Sequence, residues 1–183
     1  MLIRTSSAMY IGAYLVAIVV ANLVMAQFTQ SPYFILADML ICFLFIGLDL
    51  TTRDVLHEAW RGRGLVWKMG ALIGSGSVLS WLLNHNSASI AVASFVAFAA
   101  AGSSDAAVYA LLGSRARLVR VNGSNLVSAA VDSIVWPTIA LGGIQPLITL
   151  GEFAAKVLGG GIWSVILFGF GTEPAVAMAE PGA

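Results

Sequence analysis

The sequence predicts an all-α membrane protein, a bundle of six transmembrane helices with both termini on the cytoplasmic side. Three observations carry this expectation. Of the 183 residues, 59% are hydrophobic and only 10% charged, whereas a soluble domain carries about a quarter charged residues. The apolar residues gather into six stretches close to the ~20 residues that cross a bilayer. Lys and Arg fall in alternate connections only, as they do where cytoplasmic loops retain positive charge.

The first stretch, near 9–28, follows Arg4 and is interrupted by Asn22. Its length and that polar interruption separate it from a cleaved signal peptide. The second, near 33–52, begins after the breaker Ser31-Pro32 and ends in Asp49-Leu50-Thr51-Thr52-Arg53. The following Asp54–Trp60 segment reads as a short amphipathic helix on the membrane surface. Arg61-Gly62-Arg63-Gly64 leads into the third stretch, near 65–83, and Asn84-His85-Asn86 into the fourth, near 88–112. Gly113-Ser114 precedes the fifth, near 123–143. Gly142-Gly143 and Pro146 separate it from the sixth, near 150–170. Each stretch is too apolar all round for a surface helix, so each is expected to span. Residues 1–170 then form one domain, and the proline-containing tail 171–183 is expected to be flexible and cytoplasmic.

Orientation follows from the cations. Arg53, Arg61, Arg63 and Lys68 flank the connection between spans two and three, and Arg115, Arg117 and Arg120 that between four and five. The connections near 29–32, 84–87 and 144–149 contain no Lys or Arg. Lys156 breaks the pattern, lying inside the sixth span.

Other classes of function lack support. A net charge of zero argues against electrostatic nucleic-acid binding. The single cysteine, Cys42, lies in an apolar run and reads as a small packing residue. His57 and His85 are isolated, so no metal or other cofactor is implied. Gly74-Ser75-Gly76-Ser77 does not meet nucleophile-elbow spacing, and its small residues suit helix packing. No enzymatic constellation remains.

What does remain is an intramembrane polar set: Asn22, Gln27, Asp38, Asp49, Asp105, Asn125, Asp132, Glu152 and Lys156. Such groups face a cavity or one another and are functional candidates. Asp38, Glu152 and Gln27 lie near span ends, where they are expected to reach interfacial water. Asp49 and Arg53 are spaced as an ordinary helical ion pair. Asn125, Ser128, Asp132 and Trp136 fall on one helical stripe about 16 Å long, and Pro137 can open the backbone beside it. Lys156 comes from the next, antiparallel span at similar depth and can neutralise Asp132. Because a buried ion pair is weak evidence for stability alone, a binding site is the better explanation. Asp105, after Gly102-Ser103-Ser104, suits a cavity wall.

Several of these residues together resemble one family. Asn22 late in the first span and Asp49-Leu50-Thr51-Thr52-Arg53 ending the second match its layout. So do Asp105 in the fourth, Ser124-Asn125 and Ala130-Val131-Asp132-Ser133 in the fifth, and Lys156 in the sixth. This layout is similar to that of the VUT family of vitamin uptake transporters, which includes the YhhQ-type queuosine-precursor transporters. The resemblance spans roughly residues 15–170. It implies a multi-pass protein of the bacterial inner membrane importing 7-cyano-7-deazaguanine, 7-aminomethyl-7-deazaguanine or queuine for tRNA modification. The expected substrate-binding residues are Asn22, Asp49, Asp105, Asn125, Asp132, Trp136 and Lys156. The residue chemistry agrees: a carboxylate such as Asp132 or Asp105 accepts a ring N–H and an exocyclic amine together, a donor such as Asn22, Asn125 or Lys156 meets the keto oxygen, and Trp136 offers a stacking face. The expected partners are thus a small purine-like molecule and the lipid bilayer, with a homo-oligomer or a coupling module also open. The competing reading is a substrate-binding subunit of an energy-coupling-factor vitamin transporter, for which the row Ala13, Ala17, Ala21 would be the docking face; packing inside one chain is the alternative use of that row.

Overall fold

The computed structural model describes residues 7–60, 64–112, 115 and 117–168. Arg4, Arg61, Arg63 and the tail from Gly171 lie outside them, and with them part of the expected charge asymmetry. The described residues form six long helices. Helix α1 is Ser7–Phe28. Helix α2 runs Phe34–Ile41, passes through a π-helical turn at Cys42–Ile46 and continues Gly47–Trp60. Helices α3 to α6 are Leu65–Leu83, Ala88–Leu111, Arg117–Ala140 and Pro146–Phe168.

Their lengths and composition make a membrane bundle. Five are long and apolar enough to cross a bilayer. The remaining one, α5, has 24 residues and carries Asn122, Asn125 and Asp132. Large apolar side chains face outward all along the bundle, Trp67 and Leu147 being 85% and 86% exposed. Water would not tolerate such a surface, and lipid does.

Three boundaries differ from expectation. The Asp54–Trp60 segment is no separate surface helix; it continues α2 without a break. Helix α5 starts at Arg117 rather than near 123. Helix α6 starts at Pro146 rather than near 150, because proline at a first helical position loses no hydrogen bond and has a preset φ. Gly142, with φ of 75°, makes the turn between α5 and α6, a backbone region that disfavours side chains.

Helix α2 packs between α1 and α6, α1 also meets α3, and α4 lies along α5. The crossing of α2 and α6 is made of glycine. A Cβ on Gly47 would lie 2.6 Å from the Gly159 backbone, and one on Gly159 would overlap the Phe43 carbonyl. The π turn widens α2 at this crossing and disturbs its backbone ladder. Trp163 Nε1 donates to the Leu44 carbonyl (2.7 Å), and Thr51 Oγ1 donates to the Gly47 and Gly160 carbonyls.

Small residues elsewhere do similar work. Gly76 meets Ile18 closely across α1 and α3, as packing of the Gly74–Ser77 run requires. In the alanine row of α1, Ala17 and Ala21 are buried inside the bundle. Ala13 is half-buried, so two of the three residues in the row pack within the chain. Lys68 is exposed at the start of α3, its ammonium 5.6 Å above the Trp60 ring.

Candidate functional site

Two buried polar clusters occupy the bundle. One lies toward the end formed by connections 29–33, 84–87 and 141–145, called here the neutral end because these loops carry no Lys or Arg. The other lies toward the opposite, basic end.

The neutral-end cluster surrounds a cavity of about 30 Å³, room for one or two waters. Asn22 of α1, Asp38 of α2, Ser94 of α4, Asp132 and Trp136 of α5, and Glu152 and Lys156 of α6 supply its polar lining. Lys156 Nζ reaches Asp132 Oδ2 at 2.8 Å, Glu152 Oε2 at 2.5 Å and Ser133 Oγ at 3.1 Å. Those three contacts use every N–H an ammonium has. Asp132 Oδ1, Glu152 Oε1 and Asp38 Oδ2 accept nothing from the protein. The cavity is thus rich in unfilled acceptors.

Behind one wall runs a hydrogen-bonded relay through four helices. Trp136 Nε1 donates to Ser94 Oγ (3.1 Å), Ser94 Oγ to Asn22 Oδ1 (2.6 Å), Asn22 Nδ2 to Ser80 Oγ (3.1 Å), and Ser80 Oγ to the Gly76 carbonyl (2.8 Å). It fixes the Trp136 ring and leaves Asn22 few free valences. Pro137 is buried one position on, within a helix that continues to Ala140.

The basic-end cluster holds the other expected residues. Arg53, expected at the membrane surface, is instead 2% exposed and donates through Nη2 to Ser128 Oγ at 2.9 Å. Its i,i+4 neighbour Asp49 is fully buried, interacting with Arg53 and the Tyr14 hydroxyl, and neither carboxylate oxygen makes a well-formed hydrogen bond among the described residues. Asn125 Nδ2 donates to Asp54 Oδ2 (2.6 Å), and His57 Nδ1 meets Asp105 Oδ2 (3.3 Å). Asp49, Asp105 and Asn125 therefore do not line the cavity with Asn22, Asp132, Trp136 and Lys156; they belong to a network joining α2, α4 and α5.

Two expectations are corrected at the cavity itself. Asp38 and Glu152 do not reach interfacial water; they are 2% and 0% exposed and face the cavity. Cys42 is buried as expected, and its Sγ also contacts Asp38 Oδ1 at 3.9 Å. Gln27 is exposed. Ser133 enters the sequence reading only within the Ala130-Val131-Asp132-Ser133 match, and Ser80 and Ser94 not at all, since a serine in an apolar helix usually bonds its own backbone and carries no distinguishing signal.

An acceptor-rich cavity walled by five membrane helices, with one ion-paired lysine and one fixed indole, suits a small polar solute passing through the bilayer. Comparison with known proteins agrees in class. No curated protein and no solved structure matches the chain. A family model described as "Putative vitamin uptake transporter" matches residues 2–178, nearly the whole sequence, and the chain belongs to that family.

Proposed function

We propose that the protein imports a queuosine precursor, 7-cyano-7-deazaguanine, 7-aminomethyl-7-deazaguanine or queuine, across a bacterial inner membrane for tRNA modification. The observation that carries this reading is the free Asp132 Oδ1 one helical turn from Trp136 in a common cavity. A deazaguanine presents its ring N–H and exocyclic amine side by side. Asp132 can take both: Oδ1 is unoccupied, and Oδ2 has a lone pair beyond the one used by Lys156. The Trp136 indole, held by Ser94, supplies a flat face at the right spacing. The keto oxygen needs a donor, and Lys156 provides one by exchanging its Ser133 contact for the base.

The cavity is contracted. Clefts that hold small molecules run to ~300–1,000 Å³, so binding requires the walls to part. Motion of that kind is what alternating access demands of a transporter. The base leaves chemically unchanged.

The test is binding of labelled 7-cyano-7-deazaguanine to purified protein, with guanine as competitor. Asp132→Asn replaces an acceptor by a donor, and affinity falls about 10- to 100-fold, the usual cost of one unsatisfied buried partner. The variant still inserts and purifies. Wild-type uptake by Asp132→Asn would sink the assignment.

A further inference from the structure

We propose that Asp38 and Glu152 form a proton-binding site through which transport is coupled to a proton gradient. The coupling rests on the transporter reading above, and the site itself does not depend on which base is carried.

The argument starts from a count of charges. Three carboxylates, Asp38, Asp132 and Glu152, share the cavity with one ammonium, Lys156. That ammonium spends its three N–H groups on Asp132, Glu152 and Ser133, and none is left for Asp38. Asp38 receives only a distant thiol contact from Cys42. One oxygen each of Asp38 and Glu152, together with the Cys42 sulfur, lie within 4.8 Å of one another. Asp38 Oδ2 and Glu152 Oε1, on side chains 2% and 0% exposed, have no donor.

Two facing carboxyl groups in a buried site do not both stay ionised; one takes up a proton, as paired carboxylates do elsewhere. Here the proton supplies what the site lacks, an O–H donor for an orphaned acceptor. A metal ion is the competing occupant. Against it stand the Lys156 ammonium on Glu152 and the soft thiol as third ligand, which hard cations do not favour. The other groups facing the pair are few. Cys42 comes from α2, Asp132 from α5 and Lys156 from α6, while α1 and α4 contribute only the neutral Asn22 and Ser94.

The cycle involves proton movement alone. A proton from water at one membrane face joins the carboxyl pair when the cavity opens there and leaves to water at the other face. Carrying it lowers the net negative charge of the loaded cavity, which makes the closed, water-free state accessible.

The test has one part without substrate. Infrared spectra of the purified protein show the carbonyl band of a protonated carboxyl above about pH 6, where a free carboxylate has none. Asp38→Asn and Glu152→Gln each remove it, and two separate substitutions guard against one that misfolds. No such band in wild type, or a band unchanged by both substitutions, overturns the site. In sodium-free proteoliposomes an inward gradient of one pH unit raises accumulation of 7-cyano-7-deazaguanine up to about tenfold per coupled proton, and both variants lose that response. Accumulation driven by sodium and indifferent to pH overturns the coupling. A band of the expected kind with no transport of this base supports the proton site and refutes the substrate assignment instead.

Discussion

The two polar clusters carry the same number of carboxylates and handle them in opposite ways. At the neutral end Asp38, Asp132 and Glu152 converge on the single cation Lys156 around a cavity. At the basic end Asp49, Asp54 and Asp105 share Arg53 and His57, and the contacts go outward across helices: Arg53 to Ser128, Asn125 to Asp54, His57 to Asp105. Both leave carboxylate oxygens without a well-formed hydrogen bond among the described residues, Asp38 Oδ2, Asp132 Oδ1 and Glu152 Oε1 in the first and both Asp49 oxygens and Asp105 Oδ1 in the second, but the first set lines a cavity. The second ties α2 to α4 and α5. Helix α5 serves both, with Ser128 and Asp132 one turn apart on the same stripe.

The sharpest way to break the comparison is to remove the shared cation. Lys156→Met takes the ammonium from both Asp132 and Glu152, and breaking a buried pair in this way costs about 3–5 kcal/mol. The expected result is a large drop in the thermal midpoint in detergent, with part of it recovered by adding Glu152→Gln. A Lys156→Met protein as stable as wild type would show that the cavity carboxylates do not depend on the ammonium, and the contrast with the basic end would disappear.

Next in size is the crossing that positions Asp38 and Glu152 on opposite walls. Gly159→Ala drives a methyl group into the Phe43 carbonyl, and overpacking of this kind costs about 1–3 kcal/mol. Gly161, which has open space around its Cβ position, is the control: its alanine variant keeps the wild-type midpoint. Equal midpoints for the two variants would refute the crossing.

At the basic end the effect is smaller, because load is spread over several pairs. His57→Ala removes one partner of Asp105 on a side chain still 21% exposed, and the loss is about 1 kcal/mol. Amide exchange in the last turns of α2 rises, while the cavity half of α5 stays protected. Uniform exchange throughout the bundle would mean the two clusters are not separable units.

Most of the fold was legible because its signals are additive. Six runs of apolar residues reveal helices whatever their packing, and breakers such as Ser31-Pro32 and Asn84-His85-Asn86 mark the turns. The continuation of α2 to Trp60 was not legible. Asp54-Val55-Leu56-His57-Glu58 has the polarity of a surface helix, and only burial against α1, α4 and α5 makes it part of the bundle. The same cause hid Arg53 inside the protein and moved Asp38 and Glu152 from the interface to the cavity. Sequence distance to a span end measures depth, while packing decides exposure. Asp132 and Lys156 were found because a short hairpin forces their helices together. For Asp105, the small residues before it and the family layout suggest a wall of that cavity, and it faces His57 instead.

The smallest expected effect isolates one feature of the cavity, its fixed aromatic face. Ser94→Ala removes one hydroxyl that accepts from Trp136 Nε1 and donates to Asn22 Oδ1. Both partners are buried and lose a bond, so stability falls by about 1 kcal/mol. The ring is then free to rotate within the cavity. Its fluorescence shifts, and affinity for a flat base drops several-fold, while the ion pair of Lys156 with Asp132 is untouched. Ser94→Thr retains the hydroxyl and restores both readouts. Were Ser94→Ala to leave affinity unchanged while lowering stability, Trp136 would be a packing residue, and the base would be held by Asp132 and Lys156 alone.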